Sequence, residues 1–331
     1  MNNHIAVSVC ISVHNTERYL PRCLDSVIAQ TIESLEIVLV NNGSTDSSEA
    51  LMHKYKQQHP ERCFVIITQE DRSLAGGRIA GIQHATGDFI TFLDADDFVY
   101  PEAYQKMYDV AKENNADIVE VQTEREGVVI SSPYQGLHEA HDVLRDYFVG
   151  NGMPSMLWLR MYRRNLFEKP VLPQLYTNNE DMFGLPCLLH AANTIYFLKE
   201  TLHVYSTDNE TAVMSNLKKK KGEKYFQSRS VALNILPFIE DYIGEKAINE
   251  EYKETFPKYK SRMLLGFLFY RFSDINYERR IAAVCPIVGA SSVNDAEQII
   301  KKTANNEGIG KLIKLIGVKQ TFRLYKILKR V

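Results

Sequence analysis

TGDFITFLDADDFVYPE, residues 86–102, is the stretch that decides the fold. Its apolar run at 89–93 is rich in β-formers and predicts a short buried strand. Asp94, Asp96 and Asp97 follow directly, and three carboxylates at a strand end repel one another unless a counter-charge is near. Mg²⁺ or Mn²⁺ is such a counter-charge, because it prefers oxygen ligands completed by substrate phosphates and water. The alternative interpretation is a solvated acidic turn before the next helix.

Strand and helix patterns alternate around this stretch. Predicted strands cover 5–13, 35–40, 64–68 and 117–122, and predicted helices cover 17–30, 74–85 and 101–115. This alternation with short loops predicts an α/β fold, Rossmann-like, with a mostly parallel sheet and helices on both faces. In open sheets of this kind, ligands bind where the strands end.

Composition describes an ordinary globular protein. The 331 residues are 45% hydrophobic and 24% charged, and the net charge of -2 gives no argument for a nucleic-acid partner. The five cysteines form no CxxC pair, which suits free thiols in a reducing compartment. The N-terminus lacks the basic region of a signal peptide, and no run of about 18 apolar residues predicts a spanning helix. We therefore expect a cytoplasmic protein.

Two further features point to a nucleotide at the sheet edge. Asn42 and Gly43 follow the second strand, where a side-chain amide can read a base or ribose, although this is also a common strand-to-helix turn. Arg78 lies on a glycine-containing helix, and a guanidinium suits phosphate. The surrounding AGGRIAG matches neither the dinucleotide fingerprint nor the P-loop, so neither a dehydrogenase nor a kinase is indicated.

Taken together, these segments resemble the family 2 glycosyltransferases with the GT-A fold, of the bacterial type that builds surface polysaccharides. The resemblance rests on ordered segments between about residues 5 and 215: VSVCISVHNTERYLPRCLDSVIAQT, LEIVLVNNGSTD, GGRIAGIQHATGDFITFLDADD, MLWLRMYRRNLFE and NNEDMF.

The resemblance implies roles at the nucleotide end of the site. Asp96 would be the main carboxylate on a Mn²⁺ or Mg²⁺ ion, and Asp94 with Ala95 would contact the ribose or the metal shell. Asn42 stands where the family usually has an aspartate that reads uracil, and its amide can still accept from N3–H. Thr16 and Glu17 would face the base, or else cap a helix.

The resemblance also implies the reaction type. Family members of this kind invert the anomeric carbon, so one base must take the acceptor proton opposite the leaving diphosphate. We assign that base to Asp181 and an orienting role to Glu180; without the family context, the pair also fits an acidic helix cap. Trp158 could stack on an acceptor sugar or pack in the core, and Arg163 could meet an anionic acceptor or lie in solvent.

Beyond residue 215 the resemblance ends, so we predict a catalytic domain over 1–215 and a helical region over 216–331. The tail, 308–331, alternates apolar and basic residues at helical spacing. Such a helix can lie on an anionic membrane, at the inner face of the plasma membrane, or dock on the protein's own surface or in a homodimer.

The sequence therefore predicts an inverting, metal-dependent hexosyl- or N-acetylhexosaminyltransferase. The donor would be a UDP-sugar, and the acceptor would be a hydroxyl of a cell-surface glycan or lipid-linked precursor. Two alternatives remain open: a nucleotidyltransferase on a related fold, and a catalytically silent sugar-binding or scaffold subunit.

Overall fold

The structure is a computed structural model that describes residues 4–174, 179–209, 223–270, 275–303, 313–314 and 317–322. The chain divides into two compact units, residues 1–144 with 152–211 and residues 145–151 with 212–331. The predicted domain boundary at 215/216 falls outside the described residues and stays a prediction.

The described residues of the first unit form ten strands and six helices. The strands are β1 (Val7–Val13), β2 (Leu35–Asn42), β3 (Cys63–Gln69), β4 (Phe89–Asp94), β5 (Phe98–Val99), β6 (Ile118–Arg125), β7 (Val128–Ile130), β8 (Gly136–Glu139), β9 (Arg160–Arg163) and β10 (Thr194–Val204). The helices are α1 (Leu20–Ile28), α2 (Ser48–Gln58), α3 (Ser73–His84), α4 (Ala103–Glu113), α5 (Ala140–Val149) and α6 (Glu180–Ala191). Helix α5 runs from the first unit into the second. Short 3₁₀ turns cover Leu157–Leu159 and Arg164–Phe167.

All ten strands join one mixed sheet in the order β3-β2-β1-β4-β9-β6-β10-β5, with β7 beside β6 and β8 beside β10. The half β3-β2-β1-β4 is parallel, and its central strands are buried along almost their whole length. Strand β9 enters antiparallel between β4 and β6. The expectation of an α/β fold with a largely parallel sheet and added C-terminal helices is confirmed.

Local packing brings helix α3 close to the sheet. A Cβ at Gly77 would collide with Ser12 Oγ on β1, and one at Gly81 would lie 2.9 Å from Cys10 Cβ. The glycines therefore let α3 lie against β1, as close helix–strand contact requires. This packing fixes the position of Arg78 on the same helix.

The second unit is helical in its described part. Its helices are α7 (Glu223–Ala232), α8 (Ile235–Ile243), α9 (Glu245–Glu250), α10 (Phe256–Leu268), α11 (Tyr277–Val284) and α12 (Val293–Thr303), with a 3₁₀ turn at Pro286–Val288. Of these described helices and those of the first unit, none is long and apolar enough to cross a membrane. Most of the basic tail at 308–331 lies outside the described residues, so its membrane or dimer contact stays a prediction.

Candidate active site

The carboxyl end of β4 carries the predicted acidic cluster. Asp94 ends the strand with its side chain 25% exposed, and Asp96 is partly exposed in the following turn. Asp97 is buried, and its Oδ1 accepts a hydrogen bond from the backbone N–H of Ser206 at 2.7 Å. Asp94 and Asp96 are therefore the members of the cluster that a ligand can reach.

Arg78 joins this cluster to the second acidic pair. Its buried guanidinium donates from Nη2 to Asp94 Oδ1 at 2.9 Å, and from Nη1 to Glu180 Oε1 at 2.6 Å and Asp181 Oδ1 at 2.5 Å. The side chain predicted to meet a phosphate thus has three carboxylates as partners. Residues separated by about a hundred positions in sequence meet around one guanidinium, which sequence reasoning did not foresee.

Glu180 and Asp181 differ in what they can touch. Both lie in the first turn of α6, where carboxylates also favour the helix dipole. The Glu180 side chain is 2% exposed, whereas that of Asp181 is 23% exposed. No described residue donates a hydrogen bond to Asp181 Oδ2, while Oδ1 accepts from Arg78 and from the backbone N–H of Leu157 at 3.3 Å. Asp181 is therefore the more exposed member of the pair.

Burial dominates the electrostatics of this pair. It raises the pKa of Glu180 to about 8, with Arg78 opposing the shift and Asp181 adding to it. Burial likewise raises the pKa of Asp181, again opposed by Arg78 and increased by Asp94. One guanidinium among three carboxylates leaves the cluster with excess negative charge, and a raised pKa makes a carboxylate a better base.

The β4 end offers a donor set that fits a divalent cation. Burial first, then the negative charge of Asp94, raises the pKa of Asp96, and a bound cation would favour the ionised carboxylate. Carboxylate oxygens are what Mg²⁺ and Mn²⁺ prefer. Among the described residues, no three His, Cys, Asp or Glu side chains group to hold a metal. Asp94 and Asp96 would therefore need substrate phosphates and water to complete the coordination.

The sequence did not predict the residues that form hydrogen bonds with Asp96 in the acidic turn. Asn209 Nδ2 donates to Asp96 Oδ2 at 2.7 Å, and Arg22 Nη2 donates to the Asp96 carbonyl at 2.8 Å. Arg22 also forms an ion pair with Asp208 at 3.0 Å. In the sequence, residues 206–209 follow closely after β10, but this position alone does not predict that Asp208 pairs with Arg22 or that Asn209 binds Asp96.

Asn42 lies at the end of β2 with its side-chain amide already bonded inside the protein. Its Nδ2 donates to the Ser73 carbonyl at 2.9 Å, and its Oδ1 accepts from Gln69 Nε2 at 2.8 Å and from the Arg72 backbone N–H at 3.2 Å. The side chain is 2% exposed. Asn42 thus shapes the loop between β3 and α3, and its predicted contact with a base stays a prediction.

Thr16 and Glu17 lie beside the start of α2. The Thr16 backbone N–H donates to Ser48 Oγ at 3.0 Å, and Glu17 Oε2 accepts from the Ser47 backbone N–H at 2.8 Å. Glu17 thus caps the start of α2, whereas the Thr16 bond is made by its backbone; the predicted contact of both residues with the base stays a prediction. Thr16 Oγ1 is buried without a hydrogen-bond partner among the described residues, and Ala95 is buried in the acidic turn.

The two residues predicted to meet the acceptor, Trp158 and Arg163, make contacts within the protein. Trp158 is only 6% exposed and stacks on His203, with ring centroids 4.2 Å apart and an interplanar angle of 19°. This placement agrees with the core-packing alternative. Arg163 pairs in register with Phe89, at the opposite end of β4 from Asp94, and its Nε forms an ion pair with Asp117 at 2.8 Å. Arg163 therefore lies at the end of β4 away from the acidic cluster, and its predicted contact with the acceptor stays a prediction.

The fold and the acidic site together define the class of protein. Residues 8–170 match the model of the family described as Glycosyl transferase family 2, and this part of the chain is identified as a member of that family. It is a glycosyltransferase with a GT-A fold followed by C-terminal helices.

Individual relatives agree with this class. The chain is 28% identical over 254 residues to "Putative glycosyltransferase EpsH" of Bacillus subtilis (strain 168), covering 72% of each chain. It is 30% identical over 176 residues to "Glycosyltransferase GlyA" of Streptococcus pneumoniae serotype 4, but there the match covers 49% of this chain and only 25% of GlyA. Among solved structures, S. aureus TarS 1-349 superimposes with a TM-score of 0.70 at 15% identity, over 98% of this chain and 92% of TarS 1-349.

Proposed function

We propose that this glycosyltransferase moves a hexosyl or N-acetylhexosaminyl group from a UDP-sugar to a hydroxyl of a cell-surface glycan or lipid-linked precursor, with inversion at the anomeric carbon. The observation that carries the proposal is the Arg78 guanidinium, which brings the nucleotide-side Asp94 and the base candidate Asp181 into one cluster. A single site can thereby serve both the leaving group and the attacking hydroxyl.

The donor and acceptor classes are supported by similar proteins. A structure of S. aureus TarS 1-349, described as a complex with UDP-GlcNAc, superimposes with a TM-score of 0.66 at 15% identity, over 98% of this chain and 92% of that chain. A UDP-sugar therefore serves as the first donor class to test. A relative from Bacillus spizizenii is named "Poly(ribitol-phosphate) beta-glucosyltransferase" and is 35% identical over 114 residues, which cover 34% of this chain and 18% of that protein; its name supports a polymer hydroxyl as the acceptor.

We assign the proton transfer to Asp181 because its side chain is the more exposed of the pair. The acceptor hydroxyl gives its proton to this carboxylate while its oxygen forms the new bond to the anomeric carbon. The bond from that carbon to the β-phosphate oxygen breaks, and the electron pair leaves with UDP. Glu180, buried beside Arg78, keeps the guanidinium in place, and Arg78 orients Asp181 through Oδ1.

Asp94 and Asp96 would hold Mn²⁺ or Mg²⁺ together with the diphosphate. When bound, such an ion neutralises the charge that the diphosphate gains as it leaves. Binding can be tested without turnover, by titrating UDP into the protein in a calorimeter with and without Mn²⁺. We expect Asp96→Ala to remove the metal-dependent part of the affinity; equal UDP affinity with and without Mn²⁺ in both proteins would contradict the metal role.

The function itself is tested by screening nucleotide-sugars for metal-dependent hydrolysis and for thermal stabilisation of the protein. We expect one UDP-sugar to give both signals. Product NMR on that donor and a hydroxyl acceptor should show an anomeric configuration opposite to that of the donor. Retention of configuration would contradict the inverting mechanism, and no response to any nucleotide-sugar would contradict the enzyme.

A further inference from the structure

A buried ion pair lies behind the turn that contacts Asp181. Arg160 on β9 and Glu120 on β6 are opposite each other in the sheet register, and neither side chain is more than 3% exposed. A buried guanidinium–carboxylate pair of this kind contributes little net stability compared with well-packed apolar residues, because the cost of desolvating both charges offsets their attraction. Its contacts therefore point to a geometric role.

Arg160 also donates hydrogen bonds to the turn that precedes β9. Nη1 donates to the Met156 carbonyl at 2.6 Å, and Nη2 donates to the Pro154 carbonyl at 2.7 Å. The next residue, Leu157, is the one whose backbone N–H donates to Asp181 Oδ1. One rigid, planar guanidinium thus fixes two carbonyls directly before the N–H that holds the proposed base.

The same turn also packs against α6, the helix that carries Asp181. A Cβ at Gly184 would lie 3.1 Å from Leu157 Cδ1 and 2.8 Å from Leu172 Cδ2, so the helix approaches Leu157 closely at this glycine. Tyr162 Oη adds a hydrogen bond to the Leu157 carbonyl at 3.1 Å. A shift of the turn would therefore move both the N–H donor and the helix.

We propose that Arg160, held by Glu120, is a positioning residue for Asp181. It fixes the turn 154–157 so that the Leu157 N–H binds Oδ1 and leaves Oδ2 facing the acceptor hydroxyl. The proposal rests on the proposed function, because it assumes that Asp181 is the base.

The hydrogen bond from Leu157 has a consequence for the pH dependence of transfer. Among the described residues, four charged or titratable groups act on the Asp181 carboxylate: Arg78 from α3, Asp94 from β4, Tyr162 from β9 and Glu180 on its own helix. The N–H bond favours the ionised carboxylate, whereas burial disfavours it. Loosening the turn would weaken that bond and raise the pKa of Asp181, so the acid limb of the transfer rate would move to higher pH.

The test replaces the ion pair with apolar residues, as the double variant Glu120→Leu/Arg160→Met. Because buried pairs are often replaced in this way without loss of stability, the variant should fold. We expect kcat to fall by about 10- to 100-fold, the acid limb to move up by about half a pH unit, and the KM for the donor to stay unchanged.

The matched control is Arg62→Met. Arg62 also holds backbone carbonyls, donating to those of Ile28, Gln30 and Ile32 at 2.6–3.0 Å, but it lies at the other end of β2 from Asn42. This variant should leave the acid limb in place. A folded double variant with wild-type kcat and an unmoved acid limb would overturn the proposal.

Arg160→Lys serves if the double variant does not fold. A lysine keeps the charge beside Glu120 but cannot reach both carbonyls with a rigid fork, so the acid limb should still move up; an unmoved limb in this folded variant would overturn the proposal. Asp181→Asn separates the assignment of Asp181 as the base from the positioning role of Arg160. If Asp181→Asn transfers normally, the proposed base is wrong; if it is inactive while the Arg160 variants keep the wild-type acid limb, only the positioning role is wrong.

Discussion

At the scale of single residues, Arg78 is the contact on which the site depends. A buried guanidinium with three carboxylate partners satisfies charges that would otherwise be costly in the protein interior. It also ties the end of β4 to the start of α6, so that one side chain sets the distance between the proposed metal end and the proposed base.

Replacing Arg78 with methionine should therefore destabilise the protein strongly. Glu180 would be left buried and unpaired, so we expect the free energy of unfolding to fall by about 3–5 kcal/mol, measured by urea denaturation. The control is Arg72→Met, since Arg72 is an exposed arginine on the turn that begins the same helix. If Arg78→Met lowers the free energy of unfolding by no more than the control does, the proposed role of Arg78 in joining the carboxylates is contradicted.

Glu180 should leave a signature in the pH dependence of stability. Its folded pKa, raised by burial to about 8, exceeds the ordinary value of 4.5, so the folded state binds more protons between these values. The stability that this proton provides is complete below about pH 4.5 and is lost as the pH rises through 8. Glu180→Gln should flatten the fall of Tm over this range in thermal unfolding at several pH values. The exposed Glu113→Gln is the control, and equal slopes in the two variants would contradict the assignment.

At the scale of elements, α3 shows how sequence and structure correspond. The predicted helix at 74–85 matches Ser73–His84, and its glycines, which lower helix propensity, are explained by the contact with β1. Gly77 and Gly81 face the strand, and Arg78 extends from the same helix to the carboxylates. The helix thus holds the central cation of the site.

Gly77→Ala should push α3 away from β1. The new Cβ would collide with Ser12 Oγ, so we expect a loss of about 1–3 kcal/mol in unfolding free energy and a lower transfer rate as Arg78 shifts. Gly266→Ala is the control: outside the backbone of α10 itself, no atom of the described residues lies within 4 Å of a Cβ built there, and alanine should stabilise the protein by up to about 1 kcal/mol. Similar effects at both positions would contradict the packing argument.

The local elements of the first half could be predicted because their signals are local. Strand and helix periodicity, and the carboxylates following 89–93, are visible in a short window of sequence. The antiparallel entry of β9 could not be predicted, since RMYR is too short and too polar to signal a strand between β4 and β6. The meeting of Asp94 with Asp181 depends on Arg78, a long-range contact that no spacing rule encodes.

At the scale of the whole molecule, the helical unit has an aromatic core of its own. Phe148 is fully buried, and its ring centroid lies 5.0–5.6 Å from those of Tyr252, Phe256 and Tyr259. The last turn of α5 therefore contributes to the core of residues 212–331, although it is far from them in sequence.

Phe148→Ala should destabilise this unit by about 3–5 kcal/mol, because it removes a buried ring and leaves a cavity. We expect a lower Tm in calorimetry but unchanged UDP affinity when binding is measured below the transition. Val149→Ala, at an exposed position of the same helix, is the control. An unchanged Tm in Phe148→Ala would contradict the proposed core.

The central claim is that one cluster, joined by Arg78, serves both the leaving nucleotide and the attacking hydroxyl, with Asp181 as the base. The most direct measurement is the transfer rate of Asp181→Asn at saturating donor and acceptor, with donor affinity measured by calorimetry on the same protein. We expect the transfer rate to fall by at least about 10²- to 10⁴-fold, while the donor binds as it does to the wild type. Transfer at the wild-type rate would contradict the account.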